Sequence, residues 1–319
     1  MRRLLRPLLE RAMQSPRFRG MVAGMLGRHL QELDLDFLRA IPDGLTVDLD
    51  RQLEQERRDP GLPSVFWSIL WEASAARALG DSARKDVHFT LRGKRFSMEL
   101  DLAESPECGY LLRNPTVRLT RLLAGFEGRG RTMLDVGANV GFHTLTAGLF
   151  FRRVVAFEPT PATAERLERN VMSSALRHID VKRCALSNRR GEAAFTVDRG
   201  HCGANRLDGP TPHGGETIRV PLMTLDELAR SSPGGLGRID FIKIDVEGHE
   251  CEVLEGGLET IRHDRPQLFV EFNTPDQFDR FRSLLPEGYR SVRPDANGSL
   301  QPIADGRTAV EARDVLFLV

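Results

Sequence analysis

The chain has no apolar run approaching the roughly 20 residues that a membrane-spanning helix needs; the longest candidate is the seven-residue "SVFWSIL" at Ser64 to Leu70. It also lacks an excess of charge of either sign. Its 45 basic and 45 acidic side chains cancel, so no global field draws it to nucleic acid or anionic lipid, and a small-molecule partner is expected. Cysteine is scarce: Cys108, Cys184, Cys202 and Cys251 lie far apart with no C-x-x-C pair. That excludes a disulfide framework and reads as reduced thiols in a cytoplasmic protein. Internal repeats and low-complexity tracts are absent too. What is present is length and apolar content, 319 residues at 40% hydrophobic, enough for one full-sized core and a smaller appendage.

The first twenty residues, "MRRLLRPLLERAMQSPRFRG", carry six Arg against one Glu, with Leu4, Leu5, Leu8, Leu9 and Met13 at helical spacing. The pattern suits a helix docked by its apolar stripe with the arginines solvated. It also suits a weak peripheral contact with a membrane surface. "HLQELDLDFLRAI" and "SVFWSILWEASAARAL" repeat the helical period. The expected organisation is therefore a helical N-terminal region over residues 1–82 and a main domain over 83–319.

The main domain opens with "VHFTLRGKRFSMEL", alternating about an Arg92-Gly93-Lys94 turn as a hairpin does. From Arg131 short apolar runs alternate with helical stretches: "TMLDV", "RVVAFE", "IDVKRCAL", "RIDFIKID" and "QLFVEF" read as strands. This is the signature of a doubly wound, mostly parallel α/β sheet. A hairpin, "EAAFTVD" with "TIRVPL", interrupts it, and "DVLFLV" suits an antiparallel last strand. Between the hairpin arms, the Gly- and Pro-rich loop from Asp198 to Glu216 has the length of a lid, with Asn205 and Arg206 as donors near its middle.

In such a sheet the ligand sits beyond the carboxyl ends of the strands, beside the first one. The turn there is "LDVGANVGFHTL", with Asp135, Gly137, Asn139 and Gly141 in a D-x-G-x-x-x-G pattern rather than the G-x-G-x-x-G of dinucleotide enzymes. A carboxylate at the strand end disfavours a pyrophosphate and favours a ligand bearing a cation. S-adenosylmethionine, with an ammonium, a sulfonium and no phosphate, fits. Glu158 ends the next strand 17 residues past Gly141, where an acidic side chain accepts protons from both ribose hydroxyls, or else caps the helix that follows. Ala185, in "CALS" beyond the third strand, stands where the adenine would pack.

"DVGANVGFHTL", "AFEP", "CALSN", "TLDEL", "IDFIKIDVEGHECEVLEGG" and "PQLFVEF" occur in this order at the spacing of FkbM-type S-adenosylmethionine-dependent methyltransferases, which the chain resembles from about Asp86 to Val319. The resemblance implies the class I methyltransferase Rossmann-like fold and methyl transfer to a hydroxyl of a sugar, polyketide or other small metabolite. "NPTVRLTRLL" departs from the family, which commonly carries an acidic residue ahead of this helix, so an outer wall of the pocket is expected to differ. A nicotinamide-dependent dehydrogenase and a non-catalytic cofactor-binding module are the alternatives.

"KIDVEGHE" sets Lys243, Asp245 and Glu247 at alternate positions, on one face of an extended strand end. A buried Lys243 needs a partner, which should be Asp245, Glu271 or both. Asp245, Glu247 and His249 are the candidate catalytic residues. Asp245 either accepts the proton of the acceptor hydroxyl or orients the methionine ammonium. Asp245, Glu271 and Asn273 together are oxygen ligands of the kind magnesium takes, but Lys243 already supplies the positive charge and no metal is expected. His201, Cys202 and His213 lack four-ligand zinc spacing.

Overall fold

The computed structural model describes residues 41–58, 84–102, 104–112, 117–198, 205–207, 209, 215–231, 235–295 and 298–319. The helices expected over 1–40 and 64–79, and His201, Cys202 and His213, lie outside them. By contacts the chain divides into two compact units, residues 1–91 with 99–117 and residues 92–98 with 118–319.

In the first unit, β1 (Leu45–Asp48) runs straight into α1 (Leu49–Arg58) and pairs in parallel with β2 (Arg84–Leu91). This strand departs from the all-helical reading of the N-terminal region. Four residues, "LTVD", are too few to show an alternating pattern, and what makes them a strand is the edge of β2. After β2 the chain reverses at Arg92 and Gly93, both at positive φ (51° and 73°), as a two-residue hairpin turn requires. It continues as β3 (Lys94–Asp101), whose residues 94–98 count with the second unit and 99–101 with the first, and α2 (Ser105–Leu112) follows in the first.

The second unit contains α3 (Val117–Ala124), β4 (Gly130–Val136), α4 (Phe142–Gly148), β5 (Phe151–Phe157), α5 (Pro161–Ser173), β6 (Ile179–Lys182), β7 (Ala185–Leu186), β8 (Gly191–Asp198), β9 (Arg206–Leu207), β10 (Gly215–Met223), α6 (Leu225–Ser231) and β11 (Ile239–Ile244). It continues with α7 (Glu250–Glu255), α8 (Leu258–Asp264), β12 (Gln267–Glu271), α9 (Pro275–Leu284), β13 (Arg290–Pro294), β14 (Leu300–Pro302), α10 (Gly306–Ala312) and β15 (Asp314–Leu318).

Its central sheet runs β14-β13-β15-β12-β11-β4-β5-β6. β6, β5, β4, β11 and β12 pair in parallel, and β15 is antiparallel to both β12 and β13. Without the short edge strand β14, this is the seven-stranded order with a reversed last strand that the resemblance implied. The chain moves outward from β4 through β5 to β6 and then returns to β11 on the other side of β4. The order therefore reverses between β4 and β11, which is where a crevice opens in such sheets.

Strand alternation sends side chains to two buried faces. Leu134, Val136, Val155, Phe157, Ile242, Ile244, Leu268, Val270, Val315 and Phe317 join one buried cluster with Leu225 and Leu228 of α6, Val253 and Leu254 of α7, Ile261 of α8 and Phe278 and Phe281 of α9. The residues between them on β4 and β11, Asp135 and Lys243, therefore point to the opposite face, where Thr144 of α4 meets Asp135. Among the described residues no helix is long and apolar enough to cross a membrane.

Three local readings are corrected. "IDVKRCAL" is not one strand: after β6 the chain leaves the central sheet, and Ala185 and Leu186 pair instead with β10 in a second sheet, β7-β10-β8-β9. The helix expected from His249 to Arg262 breaks at Gly256 and Gly257 into α7 and α8, and Gly256 approaches the end of β7 so closely that a Cβ on it would stand 2.0 Å from the carbonyl oxygen of Ser187. β14 and α10 occupy the stretch before the last strand, where no element was expected. The β8–β10 hairpin forms as expected, with Phe195 opposite Ile218.

Candidate active site

The turn after β4 is built by close approach. Gly137 has φ +80°, and a Cβ on it would lie 1.9 Å from the Asp245 carbonyl oxygen. The amides of Gly137 and Ala138 both donate to the Phe157 carbonyl (3.1 and 3.0 Å), and the Asp245 amide donates to the Val136 carbonyl (3.1 Å). The carboxyl ends of β4, β5 and β11 are thus tied together at the reversal point. Asn139 (φ 49°) and Gly141 (φ 99°) complete the turn into α4.

Beneath it lies a buried charge chain. Lys243 and Asp135 are register partners on β11 and β4, and their side chains are 5% and 0% exposed. Lys243 Nζ is 3.3 Å from Asp135 Oδ1 and 3.4 Å from Asp245 Oδ2, and it donates to the Gly137 carbonyl at 3.0 Å. Thr144 donates its hydroxyl to Asp135 Oδ2 at 2.6 Å. The two neighbouring carboxylates outweigh burial and hold Lys243 above the usual lysine range, so it stays charged. The expected Lys243–Asp245 pair is present. The expected pair with Glu271 is not, since Glu271 pairs with Arg313 at 2.6 Å.

The Asp135 carboxylate is buried, with Oδ2 taking the Thr144 hydroxyl and Oδ1 facing Lys243. Asp245, with a side chain 35% exposed, is the carboxylate that remains open at the turn. Two carboxylates around one ammonium leave the cluster one formal negative charge, suited to a cationic ligand. Burial, and then the Lys243 charge, keep the nearby His143 well below the usual imidazole range and therefore neutral.

Glu158 sits at the end of β5, only 6% exposed. Its Oε2 accepts from the Asn139 amide (3.0 Å) and its Oε1 from the Thr160 amide (2.9 Å). Each carboxylate oxygen has two lone pairs, so both keep one acceptor site after fixing the turn and the start of α5. Burial pushes its proton affinity up. The residues fit an adenosine-type ligand: a glycine turn without bulk, a carboxylate at the second strand end and a net-negative cluster at the fourth. Ala185 is buried on β7, in the second sheet rather than at the end of β6.

Glu247 follows Asp245 at φ +53° and accepts from the Asn273 side-chain amide at 3.2 Å. Burial and the Asp245 charge push its carboxyl up to about 7. Glu271 is raised well above the usual range by burial, and Asp314, its partner on β15, to about 6 by burial. Arg313 is the counter-charge there. His249 is the residue before α7 but does not cap it. Its Nε2 is 2.9 Å from Ser187 Oγ and its Nδ1 3.6 Å from Glu252, so it ties α7 to the end of β7. Asn273 uses its amide on Glu247 and Glu271 is paired with Arg313, so these two do not converge with Asp245 as ligands. Among the described residues no three His, Cys, Asp or Glu side chains are grouped to hold a metal ion. Cys184 and Cys251 are free and buried, with thiols pushed up to about 11 and about 12 by burial.

Residues 135–291 match the family model described as the methyltransferase FkbM domain. Just under half of the chain is thus similar to that family. Hexuronic acid methyltransferase AglP of Haloferax volcanii is 34% identical over 136 residues, 43% of this chain and 54% of that protein. 2-O-methyltransferase NoeI of Sinorhizobium fredii is 27% identical over 190 residues, 53% of this chain and 75% of that protein. The chain spans little more than half the length of the first curated relatives it matches, 54% and 59%. A crystal structure of an FkbM methyltransferase from Methylobacillus flagellatus shares 17% identity at a TM-score of 0.38, covering 60% of this chain and 44% of that one.

Sequence reasoning missed Glu250 and Arg313, and it named Arg206 as a loop donor without its partner, the Glu247 carbonyl. Arg313 carried no signal, because the helix that presents it was not foreseen. Asp135 as the partner of Lys243 was readable in principle, since β4 and β11 are neighbours in any sheet of this order.

Proposed function

We propose that the protein is an S-adenosylmethionine-dependent O-methyltransferase acting on a hydroxyl of a small polyhydroxy metabolite in the cytoplasm. The observation that carries this is the convergence of Gly137, Glu158 and Asp245 at the strand reversal. The turn is too close to β11 for any side chain, one buried carboxylate keeps two acceptor sites, and one open carboxylate sits above Lys243. S-adenosylmethionine supplies an electrophilic methyl group. Glu158 receives the ribose hydroxyls, and Asp245 orients the methionine ammonium. Glu247, whose carboxyl titrates near neutrality, accepts the proton of the acceptor hydroxyl. His249 supports α7 rather than taking part in proton transfer. The names of the hexuronic acid and 2-O-methyltransferase relatives favour a sugar hydroxyl. A dehydrogenase is disfavoured by the D-x-G-x-x-x-G turn, and a non-catalytic module by the open Asp245 carboxylate beside Glu247.

Calorimetric titration with S-adenosylhomocysteine and with NAD tests the cofactor. Binding of the first and not the second is expected, and the reverse overturns the reading. Transfer of radiolabelled methyl from S-adenosylmethionine to uronic acids and neutral hexoses, with and without blocked hydroxyls, tests the acceptor class.

A further inference from the structure

Arg206 comes from outside the motifs that define the site, on the two-residue strand β9 at the edge of the second sheet, where it pairs with Thr196 of β8. Its guanidinium crosses to the turn after β11. Nε and one terminal nitrogen both donate to the Glu247 carbonyl, at 3.2 and 2.8 Å. The amide on the far side of the same peptide, Gly248 N–H, donates to Glu250 Oε1 at 3.0 Å. Glu250 is 1% exposed and is itself held by the Gln277 amide at 3.1 Å. Both polar ends of the Glu247–Gly248 peptide are therefore clamped, by a cation from one sheet and a buried carboxyl from α7.

The clamp acts on a residue that needs one. Glu247 is a non-glycine residue in the left-handed region, a conformation that persists only where its surroundings impose it. Its backbone angle decides where its carboxyl goes. In the clamped geometry that carboxyl meets the Asn273 amide, with Asp245, Glu250, Glu271 and Arg313 as its charged surroundings. Held at its own carbonyl and at the next amide, Glu247 keeps its Cα in place, and with it the reach of its carboxyl to Asn273. We propose that Arg206 is a positioning residue for the transfer reaction, fixing the Glu247–Gly248 peptide so that the Glu247 carboxyl stays in its desolvated place beside Asp245 and Asn273. Backbone geometry, rather than charge alone, is then how the inserted sheet acts on the site. The role as part of the reaction rests on the methyltransferase reading; the clamp itself does not.

Arg206→Lys separates geometry from charge, because it keeps the cation and loses the planar fork that reaches one carbonyl with two donors. The measurement is a 13C titration of the side-chain carboxyls in glutamate-labelled protein, with the Glu247 signal assigned by Glu247→Gln. In the unsubstituted protein Glu247 is expected to titrate near 7. In Arg206→Lys and Arg206→Met its carboxyl should bind its proton at least tenfold more weakly, and the Gly248 amide should exchange with solvent at least tenfold faster, with Tm nearly unchanged. An Arg that merely supports the fold would lower Tm and leave the Glu247 titration where it was. An unmoved titration in both variants overturns the proposal, and if Arg206→Met fails to fold, Arg206→Lys alone decides. Calorimetry with S-adenosylhomocysteine on the same samples keeps the two readings apart. Absent binding in the unsubstituted protein sinks the cofactor reading, whereas binding with an unmoved Glu247 sinks only the clamp.

Discussion

Lys243 and Asp135 face one another across adjacent parallel strands, 3.3 Å apart and almost entirely out of water. A buried ion pair is weak evidence of stability, yet removing one partner strands the other charge and costs about 3–5 kcal/mol. Lys243→Met should therefore lower stability by an amount of that order in urea unfolding. Lys243→Met combined with Asp135→Asn, which removes the stranded charge, should be clearly more stable than the single variant. Equal losses in both would mean that the pair is not the reason for burying the lysine.

Glu158 carries two loads, and its substitution should show both. Its oxygens satisfy the amides of Asn139 and Thr160, so Glu158→Ala leaves two donors unpaired, at about 1–3 kcal/mol each where burial is complete. The same change removes the proposed ribose acceptor and should weaken S-adenosylhomocysteine binding at least tenfold by calorimetry. A fall in Tm with undiminished affinity would leave Glu158 only its role in fixing the turn.

The sequence carried the sheet and the glycine turn because both rest on local signals: apolar runs of the right length, and glycines where the backbone takes positive φ. It carried the Lys243–Asp245 pair because the two residues alternate on one strand. What it did not carry depends on non-local geometry. Arg313 meets Glu271 only because β15 lies beside β12, and Arg206 reaches Glu247 only because the inserted hairpin folds back. Neither juxtaposition has a spacing to read. For the same reason the polarity of Asp135 was visible and its burial against Lys243 was not.

Glu250 makes stability depend on pH in an unusual direction. Burial raises its carboxyl to about 7 in the folded protein, against about 4.3 in an unfolded chain. Between those values the folded state keeps a proton that the unfolded state has lost, so this contribution is complete below about 4.3 and falls away as pH rises through 7. Glu250→Gln cannot titrate. Relative to the unsubstituted protein, its stability curve between pH 5 and 7.5 should be flatter by on the order of 2 kcal/mol. Parallel curves would show that Glu250 is ionised throughout.

Chelation should leave activity intact. Asn273 donates to Glu247 and Glu271 is paired with Arg313, so making them ligands beside Asp245 would require breaking both contacts. Methyl transfer measured in EDTA should match that in magnesium. Activity lost on chelation and restored by the cation would mean that these contacts give way to a metal.

Gly137 allows the sharpest test of the turn, because two different costs can be separated there. A side chain at φ +80° is strained in any surroundings, typically by about 1 kcal/mol. At Gly137 the added Cβ would also stand 1.9 Å from the Asp245 carbonyl oxygen, so β11 and the turn must move apart. Gly93 provides the control, with φ +73° in the β2–β3 hairpin turn and nothing within 4 Å of an added Cβ. Gly93→Ala should cost only the conformational strain and leave S-adenosylhomocysteine affinity unchanged. Gly137→Ala should cost distinctly more in urea unfolding and weaken the ligand at least tenfold, since displacing the end of β11 displaces Asp245. If both variants lose the same stability and both bind the ligand fully, the approach of Gly137 to β11 is a packing detail, and the ligand lies elsewhere along the strand ends.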